Sequence, residues 1–169
     1  MKVLKILSAL VGVFVALIVV AIVAAGALVP AERSFTNEIE INAPAEEVWQ
    51  VVNDRTKYPE WQTDLTKVEV IDERNWVEYP RDSPEPLRFT LTKDERPGRM
   101  EFSYKMGDSF DGKWTGDVTP TATGVRLKTN DSYAAKGTMT KILIGAFFDL
   151  DKFAKDWNNT LKERVEKTK

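Results

Sequence analysis

The chain has 169 residues and neither a histidine nor a cysteine among them. Without histidine it lacks the side chain that most readily exchanges protons near neutral pH, which is also the commonest metal ligand. Without cysteine there can be no disulfide, no thiol nucleophile and no thiolate metal site. No glycine-rich phosphate loop and no Gly-x-Ser-x-Gly elbow occurs either. Metals and cofactors are therefore not expected. Any catalysis would have to rest on carboxylates, Tyr or Lys, and this tilts the reading away from an enzyme. A concentrated basic face is missing as well. After residue 31 there are 22 basic and 26 acidic residues with signs well mixed, which argues against a nucleic-acid footprint.

Acidic side chains are absent from the first 31 positions, and there the chain is dominated by hydrocarbon. Ile6 to Val29 is a run of 24 residues without a charge, mostly Val, Ala, Leu and Ile. As a helix it spans roughly 36 Å, enough for a hydrocarbon core of about 30 Å. A cleaved signal peptide would have an apolar run of about 7–15 residues, although Ala24-Ala25-Gly26-Ala27 offers small residues to a peptidase. A buried core helix would show a polar face. The expectation is an uncleaved transmembrane anchor, residues 1–31, touching the bilayer through residues 6–29. Lys2 and Lys5 precede the span, so the positive-inside rule keeps the N-terminus cytoplasmic and sends residues 32–169 to the extracytoplasmic side, periplasmic or extracellular.

Pro30 to Ser34 reads as a short linker. Phe35 to Asn42 alternates, with Phe35, Asn37, Ile39 and Ile41 on one side, and predicts a half-buried strand. Asn42-Ala43-Pro44-Ala45-Glu46-Glu47 opens a helix, with proline and carboxylates where a first turn favours them. Pro59-Glu60-Trp61 gives a second short helical turn. Six further strands follow, Lys67–Ile71, Trp76–Tyr79, Leu87–Asp94, Arg99–Met106, Lys113–Thr119 and Val125–Tyr133, each bounded by turn residues. Met139, Leu143, Ala146, Leu150, Phe153, Trp157 and Leu161 then recur at steps of three and four, predicting one helix of about 28 residues.

This α+β order, and above all Glu38-Ile39-Glu40-Ile41-Asn42-Ala43-Pro44-Ala45-Glu46-Glu47-Val48-Trp49 followed by Asp54 and Tyr58-Pro59-Glu60-Trp61, resembles the START/Bet v 1-like superfamily (SRPBCC, polyketide cyclase/dehydrase-like). The resemblance implies a helix-grip fold: a curved antiparallel sheet of about seven strands wrapped on a long C-terminal helix, with two short helices after the first strand, enclosing a hydrophobic ligand cavity. It also fits membrane-tethered members that carry an N-terminal anchor.

The alternating strand faces supply candidates for the lining. Phe89 and Leu91 share a side, as do Phe102 and Tyr104, and Trp114 lies inward on its strand. Asp131 and Tyr133 share the inward side of the last strand. Trp61, with Pro59 before it, could sit at a cavity rim or pack the short helices against the sheet, and Leu143 and Phe147 belong to a helical stretch that is apolar around most of its circumference. Residue by residue the plainer reading is that these rings fill the interior as core; cavity lining is supported chiefly by the resemblance. Asp131 is the polar candidate, since strict alternation turns it inward, where burial would raise its pKa. If the protein is an enzyme, Asp131, Tyr104 and Tyr133 are the acid/base candidates. The expected partner is a hydrophobic small molecule (a lipid, quinone or polyketide-like compound) held at the membrane surface. The alternatives are a cyclase/dehydratase-type enzyme acting on a similar ligand, and an envelope interaction module without a cavity.

Overall fold

The computed structural model describes residues 2–147 and 149–167; the side chains of residues 2–9, 25, 146 and 147 lie outside that description. The first element is the helix α1, Lys2–Leu28. Its residues Leu10–Leu28 are long and apolar enough to cross a membrane, and only 6% of that window is buried. Three residues later β1, Glu32–Ile41, begins. The strand thus starts inside the stretch expected to be linker, and α1 and the sheet are almost directly joined.

After β1 come α2 (Ala45–Asn53), a 3-10 turn at Arg55–Lys57 and α3 (Tyr58–Trp61). Carboxylates Glu46 and Glu47 occupy the first turn of α2, whose Val48, Trp49 and Val52 are buried. Strands β2 (Leu65–Val70), β3 (Asn75–Pro80), β4 (Leu87–Glu95), β5 (Arg99–Met106), β6 (Phe110–Pro120) and β7 (Val125–Ala135) form an antiparallel meander. β1 adds antiparallel to β7, so the sheet order is β1-β7-β6-β5-β4-β3-β2. This is the helix-grip fold: a seven-stranded antiparallel sheet closed on one face by the C-terminal helix.

That helix differs from the single rod predicted by the apolar stripe. It comes as α4, Thr138–Phe147, and α5, Leu150–Lys167. Asp149 lies between them and caps α5: its Oδ1 accepts the Lys152 amide hydrogen at 3.0 Å and its carbonyl accepts that of Phe153 at 3.0 Å, the geometry that favours Asp at a helix start. Restarting the helix changes its phase. The buried face of α5 is Ala154, Asn158, Leu161 and Val165, while Phe153, Leu143 and Met139 of the expected stripe are exposed.

Most of the fully buried side chains lie at the far end of the sheet from the start of β1, and Trp76 of β3, toward the other end, is 1% exposed as well. Ile41, Val48, Trp49, Val52, Met100, Val125, Leu127, Leu161 and Val165 are each no more than 2% exposed and belong to one core cluster. Trp49 Nε1 donates to the Pro97 carbonyl at 2.7 Å, and the Tyr58 hydroxyl donates to the Val52 carbonyl at 2.5 Å. These bonds satisfy buried polar groups where exclusion of water would make them costly.

Candidate functional site

At the other end of the sheet, beside α1, aromatic side chains line up across the strands. Trp76 (β3), Phe89 (β4), Tyr104 (β5) and Tyr133 (β7) lie in one cross-strand register, with Gly112 (β6) between the two tyrosines. Phe110 and Phe35 complete a row of neighbouring rings from β3 to β1. Successive centroids are 4.9, 5.2, 6.0, 5.4 and 6.1 Å apart, from Trp76–Phe89 to Tyr133–Phe35. Such spacings fall within the contact range of aromatic pairs. The strand period of two puts the rings on one face.

Glycine makes room for two of the large rings. A Cβ on Gly112 would lie 2.2 Å from the Tyr104 ring, and one on Gly116 would lie 2.2 Å from the Trp114 ring. Both rings therefore lie across the backbone of β6 rather than standing up from the sheet.

A second, deeper set of rings runs from the sheet to the helices. Phe102 stacks on Trp114 at 4.4 Å; Trp114 meets Trp157 of α5 at 5.8 Å; Trp157 meets Trp61 at 5.8 Å. Leu91, Phe102 and Trp114 are 5–6% exposed and belong to the core cluster, whereas Phe89, Tyr104, Trp61 and Trp157 are half-buried and pack against its edge. Tyr133 is buried between Phe110 and Phe35. Leu143 faces outward on α4 at 46% exposure, away from these rings. The Phe147 side chain lies outside the described residues.

Two carboxyl groups are set into this apolar interior. Asp131 faces inward on β7 between Trp114 and Phe35 in register. It has no hydrogen-bond partner among the described residues, and burial pushes its pKa from 3.8 up to about 7. Glu78, two residues along β3 from Trp76, was not among the sequence candidates, although alternation from Trp76 turns it inward. Burial raises its pKa to about 7, against the opposing pull of the Trp76 indole and Arg55. Trp76 Nε1 donates to Glu78 Oε1 at 2.8 Å, and the Arg55 guanidinium sits 3.9 Å from the Trp76 ring centroid, a cation–π distance. Tyr104 lies within the field of both carboxyls. Burial first, then Asp131, pushes its hydroxyl well above the usual phenol range.

A polar seam crosses the middle of the same face. Asn158 Nδ2 donates to Thr129 Oγ1 at 2.8 Å, and Thr129 pairs in register with Asn37. Asn158 Oδ1 and Asn37 Nδ2 are buried with no partner among the described residues. One acceptor and one donor are the pair that a hydroxyl group satisfies. The predicted stripe runs through Trp157 and Leu161 and leaves position 158 off it, so this seam was not legible from the stripe. Asn158 also heads an Asn-Asn-Thr glycosylation triplet, but its side chain is only 2% exposed and so unavailable to a modifying enzyme.

A cleft of about 650 Å³ is lined by polar side chains such as Glu32, Ser103, Lys105 and Lys113 together with two of the sequence candidates, Tyr104 and Tyr133.

The arrangement of sheet, grip helices and aromatic interior matches a known group. The family described as polyketide cyclase/dehydrase and lipid transport matches residues 32–168. The chain belongs to this family. Polyketide cyclase/dehydrase and lipid transport proteins share a START-like fold, and solved structures repeat it at low identity. A START superfamily protein from Mycobacterium smegmatis is 18% identical at a TM-score of 0.60, with 82% of this chain and 99% of that one covered. Norcoclaurine synthase from Thalictrum flavum, in complex with dopamine and hydroxybenzaldehyde, is 16% identical at 0.61, covering 82% and 88%. A conserved protein from Geobacillus kaustophilus is 16% identical at 0.65, covering 80% and 97%. A search of curated proteins returns no match. At these identities the likeness carries the fold alone.

Proposed function

We propose that this member of the family binds a hydrophobic small molecule (a lipid, quinone or polyketide-like compound) in the aromatic half of its interior, while α1 tethers it to a membrane. The observation that carries this reading is the unequal closure of the two ends of the sheet. Fully buried side chains dominate the end distant from the start of β1, whereas in the ring row at the other end only Trp76 and Tyr133 are buried and Phe35, Phe89, Tyr104 and Phe110 stay half-buried. Apolar rings with a few oriented polar groups are the usual makeup of a small-molecule site. Burying ligand hydrocarbon against them would contribute about 25 cal/mol per Å². Asp131, Tyr104 and Tyr133 would orient a polar end of the ligand, with Trp61, Phe89, Leu91, Phe102 and Trp114 bounding its apolar body. The tether raises the local concentration of membrane-dissolved ligand, and the two N-terminal lysines favour an extracytoplasmic domain.

Native mass spectrometry of the detergent-solubilised chain tests this. A co-purified lipophile lost on Tyr104→Ala supports the binder; no occupancy after incubation with a panel of lipids and quinones overturns it.

A second reading draws on Asp131 and Glu78. Carboxyls that titrate near neutrality can serve as general acid and base, so a cyclase- or dehydratase-type proton transfer on the same ligand is chemically open to the site. That reading requires Asp131→Asn to abolish turnover while leaving ligand affinity intact.

A further inference from the structure

We infer that α4 is a membrane-seated helix, clamped to the end of α1 and facing the bilayer with Met139 and Leu143; this rests on reading α1 as a membrane span. The contact between the two helices is made through glycine on each side. A Cβ on Gly26 would fall 2.3 Å from Thr138 Cγ2 and 3.4 Å from Ile142 Cδ1, and one on Gly145 would fall 3.2 Å from Val29 Cγ1. Small residues at such crossings let helix backbones approach closely, as they do between helices in lipid. Thr138, Ile142 and Gly145 follow steps of four and three, so a single face of α4 meets α1.

Position along the span sets the depth. Gly26 lies in the last turn of α1, which ends at Leu28, so α4 meets it where hydrocarbon gives way to headgroups. Met139 and Leu143 form an adjacent face of α4 and are 57% and 46% exposed, while Leu28 at the end of the span is 85% exposed. Lys141 shares the helix, and Arg33 lies 3.6 Å from the position a Gly145 Cβ would take. An apolar face flanked by cations suits a helix lying in the interfacial plane. The occupant of this exposed face is therefore the bilayer, continuous with the lipid around α1.

The consequence is a route. α4 begins at Thr138, just after Tyr133 and Ala135 of β7, beside the half-buried ring row. A lipophile leaving the bilayer along α4 reaches Phe35, Phe110 and Tyr104 without crossing bulk water.

The absence of native cysteine allows single-site labelling. Nitroxide labels at Met139→Cys and Leu143→Cys, in the full chain reconstituted into phosphatidylcholine vesicles, are expected to be relaxed more by oxygen than by a water-soluble nickel chelate. A label at Ala122→Cys, in the exposed turn between β6 and β7 at the opposite end of the sheet, should show the reverse. Labels at 139 and 143 that match the one at 122 overturn the inference. A label at Leu17→Cys separates the two layers of the argument. If it is lipid-exposed while 139 and 143 are in water, α4 alone is misassigned; if it too is in water, the anchor reading fails and the seating of α4 with it. In a Gly26→Leu background the label at 143 should move several-fold toward nickel accessibility, with tryptophan emission of the domain unchanged. No shift would overturn the glycine clamp.

Discussion

The buried carboxyls predict an inverted pH dependence of stability, and Asp131 gives the cleanest case. In the unfolded chain it titrates near its ordinary value of 3.8; in the folded protein burial moves it up to about 7. Between these values the unfolded state has released a proton that the native state retains. Stability contributed by this group therefore falls as pH rises from about 4 to about 7, and is flat outside that window. At ~1.36 kcal/mol per pKa unit, the full displacement corresponds to about 4 kcal/mol. Partial exposure of the side chain brings the expectation to about 2–4 kcal/mol. Asn in place of Asp removes the ionisation and keeps the shape. Asp131→Asn should match the parent near pH 3 and exceed it by about 2–4 kcal/mol at pH 8. All five tryptophans lie after residue 48, so urea unfolding followed by tryptophan fluorescence in detergent reports on the sheet and its helices and not on α1. The carboxylates held low by ion pairs, such as Asp94 beside Arg96, lose their contribution only as pH falls below about 4, outside the window. Parallel stability curves for parent and variant from pH 4.5 to 8 would refute the buried, unpartnered placement of Asp131.

Glu78→Gln should show the same sign with a smaller gain at pH 8, because the Trp76 indole and Arg55 already offset part of the burial; a loss at every pH would mean that the ionised form is the one the fold needs. Trp114→Ala removes a ring that is 5% exposed and stacked on Phe102, so urea unfolding should register a loss of about 3–5 kcal/mol. Phe89→Ala, at the half-open edge, should cost clearly less in the same assay. Gly112→Ala forces a methyl into the Tyr104 ring and should cost about 1–3 kcal/mol as overpacking, with a drop in ligand affinity if Tyr104 is displaced. Asp149→Ala removes the cap of α5 and should lower stability by about 1 kcal/mol, read as a shift in urea midpoint.

The strands were legible because their residues obey a period of two under a one-sided core. Arg99–Met106 was bounded to the residue, and its Met100, Phe102 and Tyr104 turn inward as alternation requires. Strand ends were misjudged where ladder pairing outlasts the hydrophobic pattern. β6 begins at Phe110, three residues before the expected Lys113, because pairing with β5 and β7 continues through Asp111 and Gly112. Asp131 could be placed on the inward side by counting. Glu78 follows from the same count, two residues from Trp76 on a strand with only four predicted residues. Asn158 was beyond such reasoning, since only its contact with Thr129 across the interior distinguishes it from a solvent-facing asparagine.

The C-terminal helices mark where one-dimensional pattern gives way to three-dimensional competition. From Met139 to Leu161 the apolar residues keep helical spacing without interruption, so periodicity alone favours one rod lying over the sheet. Asp149 offers the backbone an alternative, a capped restart, and α1 offers the preceding segment an alternative surface on which to pack. Gly26 and Gly145 make that surface available, because any larger side chain at Gly26 would collide with Thr138. A rod laid straight across the sheet would have covered Phe89, Tyr104 and Phe110 and closed the interior. Packed against the end of α1 instead, α4 leaves those rings half-buried. How far the ring row is covered thus depends on how α1 and the C-terminal helices pack together, and neither segment alone determines it.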